Sequence, residues 1–268
     1  MTSDNAEPSR YSQILEFIFK KHHKTGLTEL DFNRREIDEA ADSLGIDRVK
    51  NLGDLIYSFR FRNPLPAAIR DTAPDGQEWI IEAAGRSKYK LLCATTNRIV
   101  PQQHLVKIKI PECTPEIVTR YALGDEQALL AKVRYNRLVD IFLGITSYSL
   151  QNHLRTTVKG MGQIEIDELY VGVDRTGSHF VVPVQAKGGK DQIGGVQSKQ
   201  DIAFCIQRYP DLVCRAVATQ FMAEKVIAMF ELTIEDGLVK VVRERHYKLV
   251  RSSELTADDL RQYKMQVD

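Results

Sequence analysis

Residues 163–189 constrain the chain most, because the turn in the middle of this stretch fixes which side chains can meet. Asp174-Arg175-Thr176-Gly177 has the composition of a type I turn with glycine in the left-handed position, the common three-residue hairpin loop with a bulge. Asp174 then faces Ser178, which sets Asp167 opposite Gln185 and Glu165 opposite Lys187 on antiparallel strands. Side chains alternate along a strand, so these four polar groups share one side of the ribbon, and Ile164, Ile166, Val184 and Ala186 share the other. A two-residue loop would slip the register and put Glu168 beside Gln185 instead. The three-residue form is preferred because it gathers all four polar groups and lets Gly177 supply the awkward dihedral.

Crowding carboxylates on a strand is unfavourable unless a cation compensates their repulsion. Two acidic oxygens, an amide oxygen and a nearby main-chain carbonyl are hard ligands of the kind Mg²⁺ prefers. An ammonium group one position further on can hold an attacking water and stabilise charge developing on phosphorus. That combination suits hydrolysis of a phosphodiester. A solvated, charged hairpin without chemistry is the competing reading.

With these residues in view, the sequence resembles the PD-(D/E)xK, or restriction-endonuclease-like, nuclease superfamily. Its signature is an acid on one strand and (Asp/Glu/Gln)-x-Lys on the next, after a helix that often contributes another acid. The matching residues are Asp167 and then Gln185-Ala186-Lys187, with the preceding helix expected at roughly 125–155, and the resemblance spans about residues 125–225. It implies that Asp167 binds metal, Gln185 offers its amide oxygen, Lys187 assists the water, and Glu165 tunes or supplements the metal set. Gln185 stands where an acid is usual, which makes Glu165 a candidate second carboxylate. Asp140 is a candidate helix acid, with a salt-bridge role as the alternative. Gln197 and Asp201 could orient Lys187 or touch a phosphate, or could simply be surface polarity. The strings Ile-Asp-Glu-Leu-Tyr-Val-Gly-Val-Asp and Val-Pro-Val-Gln-Ala-Lys-Gly-Gly look like those of bacterial restriction-type endonucleases with an N-terminal DNA-binding region.

The chain of 268 residues has room for two domains. Its first third reads as helices near 10–24, 33–44 and 51–62, followed by strands at 78–82 and 88–93, an order resembling a winged helix-turn-helix. Net charge is only +1, yet residues 48–110 hold 11 Lys and Arg against 5 Asp and Glu, so a basic patch is local to this region. Arg60, Arg62, Arg86, Lys88 and Lys90 are the expected contacts to duplex DNA, at the third helix and the tip of the wing. A solvated basic face on a protein-interaction module is the alternative. Further along, apolar residues Leu138, Ile141, Phe142, Ile145 and Tyr148 suggest one buried helical stripe, and Lys132, Arg134, Arg137, Arg155 and Lys159 suggest a cationic lining.

Hydrophobic content of 43% and charged content of 27% are those of an ordinary globular protein and exclude disordered, collagenous and coiled-coil chains. No signal-like start and no run near ~18 apolar residues is visible, so a cytoplasmic protein without a membrane segment is expected. The four cysteines lack CxxC spacing and are expected to be buried thiols. The expected fold class is α/β (α+β), with a winged-helix-like domain at 1–110 and a restriction-endonuclease-like mixed sheet flanked by helices at 111–268. The expected activity is a Mg²⁺-dependent DNA endonuclease of a restriction or DNA-defence system, a homodimer at least when cutting both strands. A non-catalytic DNA-binding regulator on the same scaffold is the alternative.

Overall fold

The computed structural model describes residues 9–61, 63–85, 87–95, 98–121, 126–159, 161–188 and 193–265. The chain divides into two compact units, Met1–Thr96 with Lys159–Gln163, and Asn97–Val158 with Ile164–Asp268. In the first unit, α1 (Arg10–His22) starts where the Ser9 hydroxyl accepts the Ser12 N–H, and it buries Ile14, Leu15, Ile18 and Phe19 at helical spacing. There follow β1 (Glu29–Asn33), α2 (Arg35–Leu44), α3 (Leu52–Phe61), α4 (Ala67–Arg70), β2 (Gln77–Ala83) and β3 (Lys88–Thr95). The strands form an antiparallel sheet in the order β1-β3-β2. Helices and sheet share one core in which Ile14, Leu15, Ile37, Leu55, Ile69 and Leu91 are fully buried.

The strand β1 is absent from the sequence reading. Leu30 and Phe32 are buried while Glu29, Asp31 and Asn33 are exposed, a period of two too short to stand out from its acidic surroundings. The helix α2 follows expectation in part. Asn33, the expected cap, ends β1 instead, and Arg34 precedes the helix without a side-chain cap; the Glu36 carboxylate still accepts the Asn33 backbone N–H at 2.9 Å, and Gly45 ends the helix as expected at a φ of 66°.

The second unit contains β4 (Arg98–Ile99), β5 (Lys107–Pro111), α5 (Glu116–Tyr121), α6 (Glu126–Tyr135), α7 (Leu138–Leu143), β6 (Thr146–Val158), β7 (Gly162–Val173) and β8 (His179–Lys187). It continues through β9 (Ile193–Gly194), α8 (Gly195–Arg208), β10 (Val213–Cys214), β11 (Ala216–Phe221), β12 (Val226–Glu235), β13 (Leu238–Val250) and α9 (Ala257–Lys264). Eight strands make one sheet, in the order β5-β13-β12-β11-β8-β7-β6 with β10 also on β8. The sheet is mixed: β8 is parallel to β11 and β5 to β13, whereas β7–β8, β11–β12 and β12–β13 are antiparallel. The helix α8 makes the crossover that a parallel β8–β11 pair requires.

Two apolar clusters serve the two faces of this sheet. Leu129, Leu138 and Phe142 of α6 and α7 pack with Val182, Val184 and Ala186 of β8, while Ile202 of α8 belongs with Ala218 and Phe230. Each buried Val, Leu, Ile or Phe there contributes about 1.5–3 kcal/mol by leaving water, and the first cluster holds β8 against α6 and α7.

The long helix expected at 125–155 is a correction. Arg137 adopts a φ of 51° between α6 and α7, and Gly144 closes α7 at a φ of 68°. From Thr146 onward the chain is strand β6, at the edge of the sheet. Leu138, Phe142 and Ile145 are buried as expected, but Ile141 and Tyr148 are exposed. An edge strand bathed by solvent on much of both faces carries no alternation of apolar residues, so nothing in the sequence marked it. The four cysteines are free; Cys205 is buried, but Cys113 is exposed, against expectation. No helix among the described residues is long and apolar enough to cross a membrane.

Candidate active site

The turn between β7 and β8 has the expected three-residue geometry. Gly177 sits at a φ of 83° and donates its N–H to the Asp174 carbonyl at 3.1 Å, while the Asp174 N–H donates to the Ser178 carbonyl at 3.2 Å. The Asp174 carboxylate accepts the N–H groups of Thr176 and Ser178 and locks the loop. Pairing then runs from Val173–His179 to Glu168–Val184, the register that brings Asp167 level with Gln185. Next along the ribbon, a side chain takes over from the ladder: Asp167 Oδ2 accepts the Ala186 backbone N–H at 2.9 Å.

Ile164, Ile166, Val184 and Ala186 are buried on the apolar side, as the alternation requires. Asp167 lies on the other side, and burial pushes its carboxyl above the ordinary carboxylate range. The Ala186 N–H and the Lys187 charge pull it back, and the Glu165 charge adds to the rise. Gln185 is 2% exposed and donates from Nε2 to Asp201 Oδ2 of α8 at 2.7 Å. Its other terminal atom, Oε1, is buried with no hydrogen-bond partner among the described residues. Burial also drives the Asp201 carboxyl well above its usual range; the Gln185 hydrogen bond opposes this, and the Asp167 charge reinforces it.

Lys187 ends β8, and its ammonium lies 3.3 Å from Oε1 of Glu126, the first residue of α6. Glu165 instead turns to basic side chains of β6, with Arg155 Nε at 3.3 Å and His153 Nδ1 at 3.6 Å. Asp167, Gln185 and Lys187 therefore share one neighbourhood, with Asp201 and Glu126 joining it, while the Glu165 carboxylate is held by its neighbours on the edge strand. Asp201 is a buried residue, not surface polarity. The signal was present: Ser198, Asp201, Ile202 and Cys205 follow the i, i+3, i+4, i+7 pattern of a buried helix face, and all four are buried. Glu126 had no comparable signal, because only the fold brings position 126 to position 187.

Asp140, the expected helix acid, serves the α7–β6 junction. It accepts the Ser147 N–H at 2.6 Å and pairs with Arg137. The other cations of the expected lining are engaged likewise: Lys132 with Glu112 at 3.7 Å, Arg134 with Glu168 at 2.7 Å, and Arg155 with Glu165. Glu168, fully buried, also accepts the Ser149 hydroxyl at 2.7 Å.

Among the described residues no three His, Cys, Asp or Glu side chains cluster as a metal set. A divalent ion would draw on the Asp167 carboxylate and the Gln185 amide oxygen, and the orphaned, buried Oε1 fits that demand: it is a hard oxygen with no partner of its own. A cleft of about 630 Å³ lies at the opposite end of the sheet order, lined by Ile108 and Tyr247 among others, and has no part in this arrangement.

In the first unit, Lys88 is exposed and lines a concavity of about 510 Å³ together with Arg34, Arg35 and Asp38. Lys90 pairs with Glu29 at 3.3 Å. Arg60 is half-buried, and burial pushes its guanidinium below its ordinary value. Arg62 and Arg86 lie outside the described residues. No protein-family model matches the chain, and no curated protein matches it.

Proposed function

We propose that this chain is a divalent-metal-dependent DNA endonuclease of the PD-(D/E)xK kind, with a winged-helix-like first unit that grips duplex DNA and a second unit that cuts it. The observation that carries the reading is the contact between Asp167 Oδ2 and the Ala186 N–H, which sets the acid against the middle of the Gln-Ala-Lys triplet. The succession β6, β7, β8, α8, β11, with β11 parallel to β8, agrees with the core of that superfamily. The order α1, β1, α2, α3, β2, β3, with the short α4 between α3 and β2 and a β1-β3-β2 sheet, agrees with a winged helix. Arg34, Arg35 and Lys88 are the described cations best disposed to meet phosphates there.

In this reading Asp167 and the Gln185 amide oxygen hold Mg²⁺, which when bound supplies Lewis-acid stabilisation of the phosphate and lowers the pKa of water. The chain's own groups do the rest. The Ala186 N–H orients the Asp167 carboxylate, so the acid enters the reaction already aligned. Lys187, desolvated to 15% side-chain exposure and held by Glu126, presents an ammonium that donates to the attacking water or to a non-bridging phosphate oxygen. Glu126 fixes where that ammonium points and is the acid contributed by the preceding helix. Two-strand cutting needs two such centres, hence two copies of the chain at the moment of cleavage. A restriction or DNA-defence role is the natural setting for this pairing of units.

The regulator reading draws on the same Lys187–Glu126 pair, which can also serve as a purely structural tie. Incubating supercoiled plasmid with the purified chain, with Mg²⁺ and with a chelator, separates the two. The nuclease reading expects nicked or linear product only with the metal; DNA retardation without any product under either condition supports the regulator.

A further inference from the structure

We propose that Asp201 is a positioning residue that orients the Gln185 amide so that its oxygen, and not its nitrogen, faces the divalent cation; this rests on the nuclease reading above. A glutamine amide is nearly symmetric in shape but opposite in chemistry at its two ends, and only the oxygen can ligate a hard cation. Something must therefore select the orientation.

Asp201 does so from the crossover helix. Its Oδ2 accepts the Gln185 Nε2–H at 2.7 Å, and both side chains are 2% exposed, so water cannot substitute for either partner. The alternative orientation would set the Gln185 oxygen against the Asp201 oxygen, a contact without a proton between two acceptors. The selected one leaves Oε1 as the free end, buried and with no hydrogen-bond partner among the described residues. An acceptor left like this is costly, and a bound cation removes the cost. This selection belongs to the carboxylate form of Asp201, which can only accept. The hydrogen bond also draws electron density toward Oε1, which makes a neutral amide a stronger ligand. Glutamine can thus stand where a carboxylate is usual: the acid is one bond removed, behind the ligand.

The test is calorimetric titration of Mn²⁺ into the purified full chain without DNA, so that binding is read apart from turnover. Asp201→Asn sets beside Gln185 an amide that can donate to the Gln185 oxygen as well as accept from its nitrogen, so the ligand oxygen is no longer kept free. The expected result is binding weakened by about 10–100-fold at unchanged melting temperature. Adding Gln185→Glu to that variant restores an acceptor facing the new amide and leaves the second carboxylate oxygen for the metal, so the double variant is expected to recover to within about tenfold of wild type. Gln185→Glu alone sets a second carboxylate against Asp201 and is expected to bind less well than the double variant, an order that does not follow from a merely structural Asp201. Wild-type-like binding by a folded Asp201→Asn variant overturns the proposal, as does a folded double variant that binds no better than the single one. If the single variant fails to fold, a folded, metal-binding double variant supports the pairing and a folded one without affinity overturns it. Should the wild type bind Mn²⁺ and cut plasmid while Asp201→Asn matches it, only the positioning role is lost; should the wild type neither bind nor cut, the nuclease reading falls and the positioning role with it.

Discussion

Asp167 and Glu168 are consecutive residues of one strand, and the fold treats them in opposite ways. Glu168 points to the side of α6, where Arg134 at 2.7 Å and the Ser149 hydroxyl at 2.7 Å engage it in a buried ion pair. Asp167 points to the other side, where the hydrogen bond recorded for it comes from a backbone N–H, and burial pushes its carboxyl up. Glu168 is tied through Oε1 by a guanidinium and a hydroxyl, although its Oε2 is buried without a hydrogen-bond partner among the described residues. A buried acid with one amide, beside an orphaned amide oxygen and an ammonium, retains the capacity to bind something else. The alternation of a strand is all that separates the two fates, which is why register matters more here than the count of acids.

Substitutions can break this contrast. The largest effect is expected from Asp167→Asn, which should lower Mg²⁺-dependent cleavage by about 10²–10³-fold, or roughly 3–4 kcal/mol of barrier, in single-turnover assays with plasmid DNA. A folded Asp167→Asn variant that cuts normally would place Asp167 with Glu168 as structural. Next, Arg134→Ala should leave Glu168 buried without its cation and destabilise the fold by about 3 kcal/mol, read as a shift in the urea midpoint. Arg134 keeps some exposure, so the lower part of the range for broken buried pairs applies. A loss below about 0.5 kcal/mol would mean that the pair behaves like a surface salt bridge.

The smallest effect is in the pH dependence of stability, and its sign differs between two buried acids. Asp167 has a raised pKa, so the metal-free folded chain holds that proton more tightly than the unfolded one. Its contribution is therefore most favourable at low pH and is lost as pH rises from the ordinary carboxylate range through the folded value. Glu36 in the first unit is the opposite case. Burial alone would raise it, but hydrogen bonds from His22, the Asn33 backbone and Lys21 outweigh burial and lower it. Its stabilisation is present above the ordinary carboxylate value and is lost as pH falls through the lowered one. Asp167→Asn should flatten the first dependence and Glu36→Gln the second, read as urea midpoints upward from the ordinary carboxylate range for Asp167 and downward from it for Glu36. Parallel slopes in the two variants would contradict the assignment.

How much of this the sequence disclosed depended on whether the signal was local. The β7–β8 hairpin was legible because Asp174 and Gly177 lie within its turn and the register propagates from there to Asp167 and Gln185. The strand β6 was not, since an edge strand buries too little to alternate, and the helix stripe upstream of Gly144 ran into it without a visible stop. The charge of the expected cationic lining was harder to read for a different reason. Counting Lys132, Arg134, Arg137 and Arg155 along the chain leaves out the acids that the fold brings to them from elsewhere, Glu112, Glu168 and Glu165 among these. Glu126 and Asp201 reach the site only through tertiary packing, although the buried face of α8 offered a clue to the second.

The most direct measurement compares plasmid cleavage by the wild type and Lys187→Ala in Mg²⁺, with DNA affinity recorded for both by retardation. Lys187 stands one residue beyond the Asp167–Ala186 contact and takes no part in either apolar core. Cleavage by the variant should fall by about 10²-fold or more while its DNA affinity stays within about twofold of wild type. Equal cleavage rates for the two proteins would contradict the central claim that this ribbon is the cutting centre.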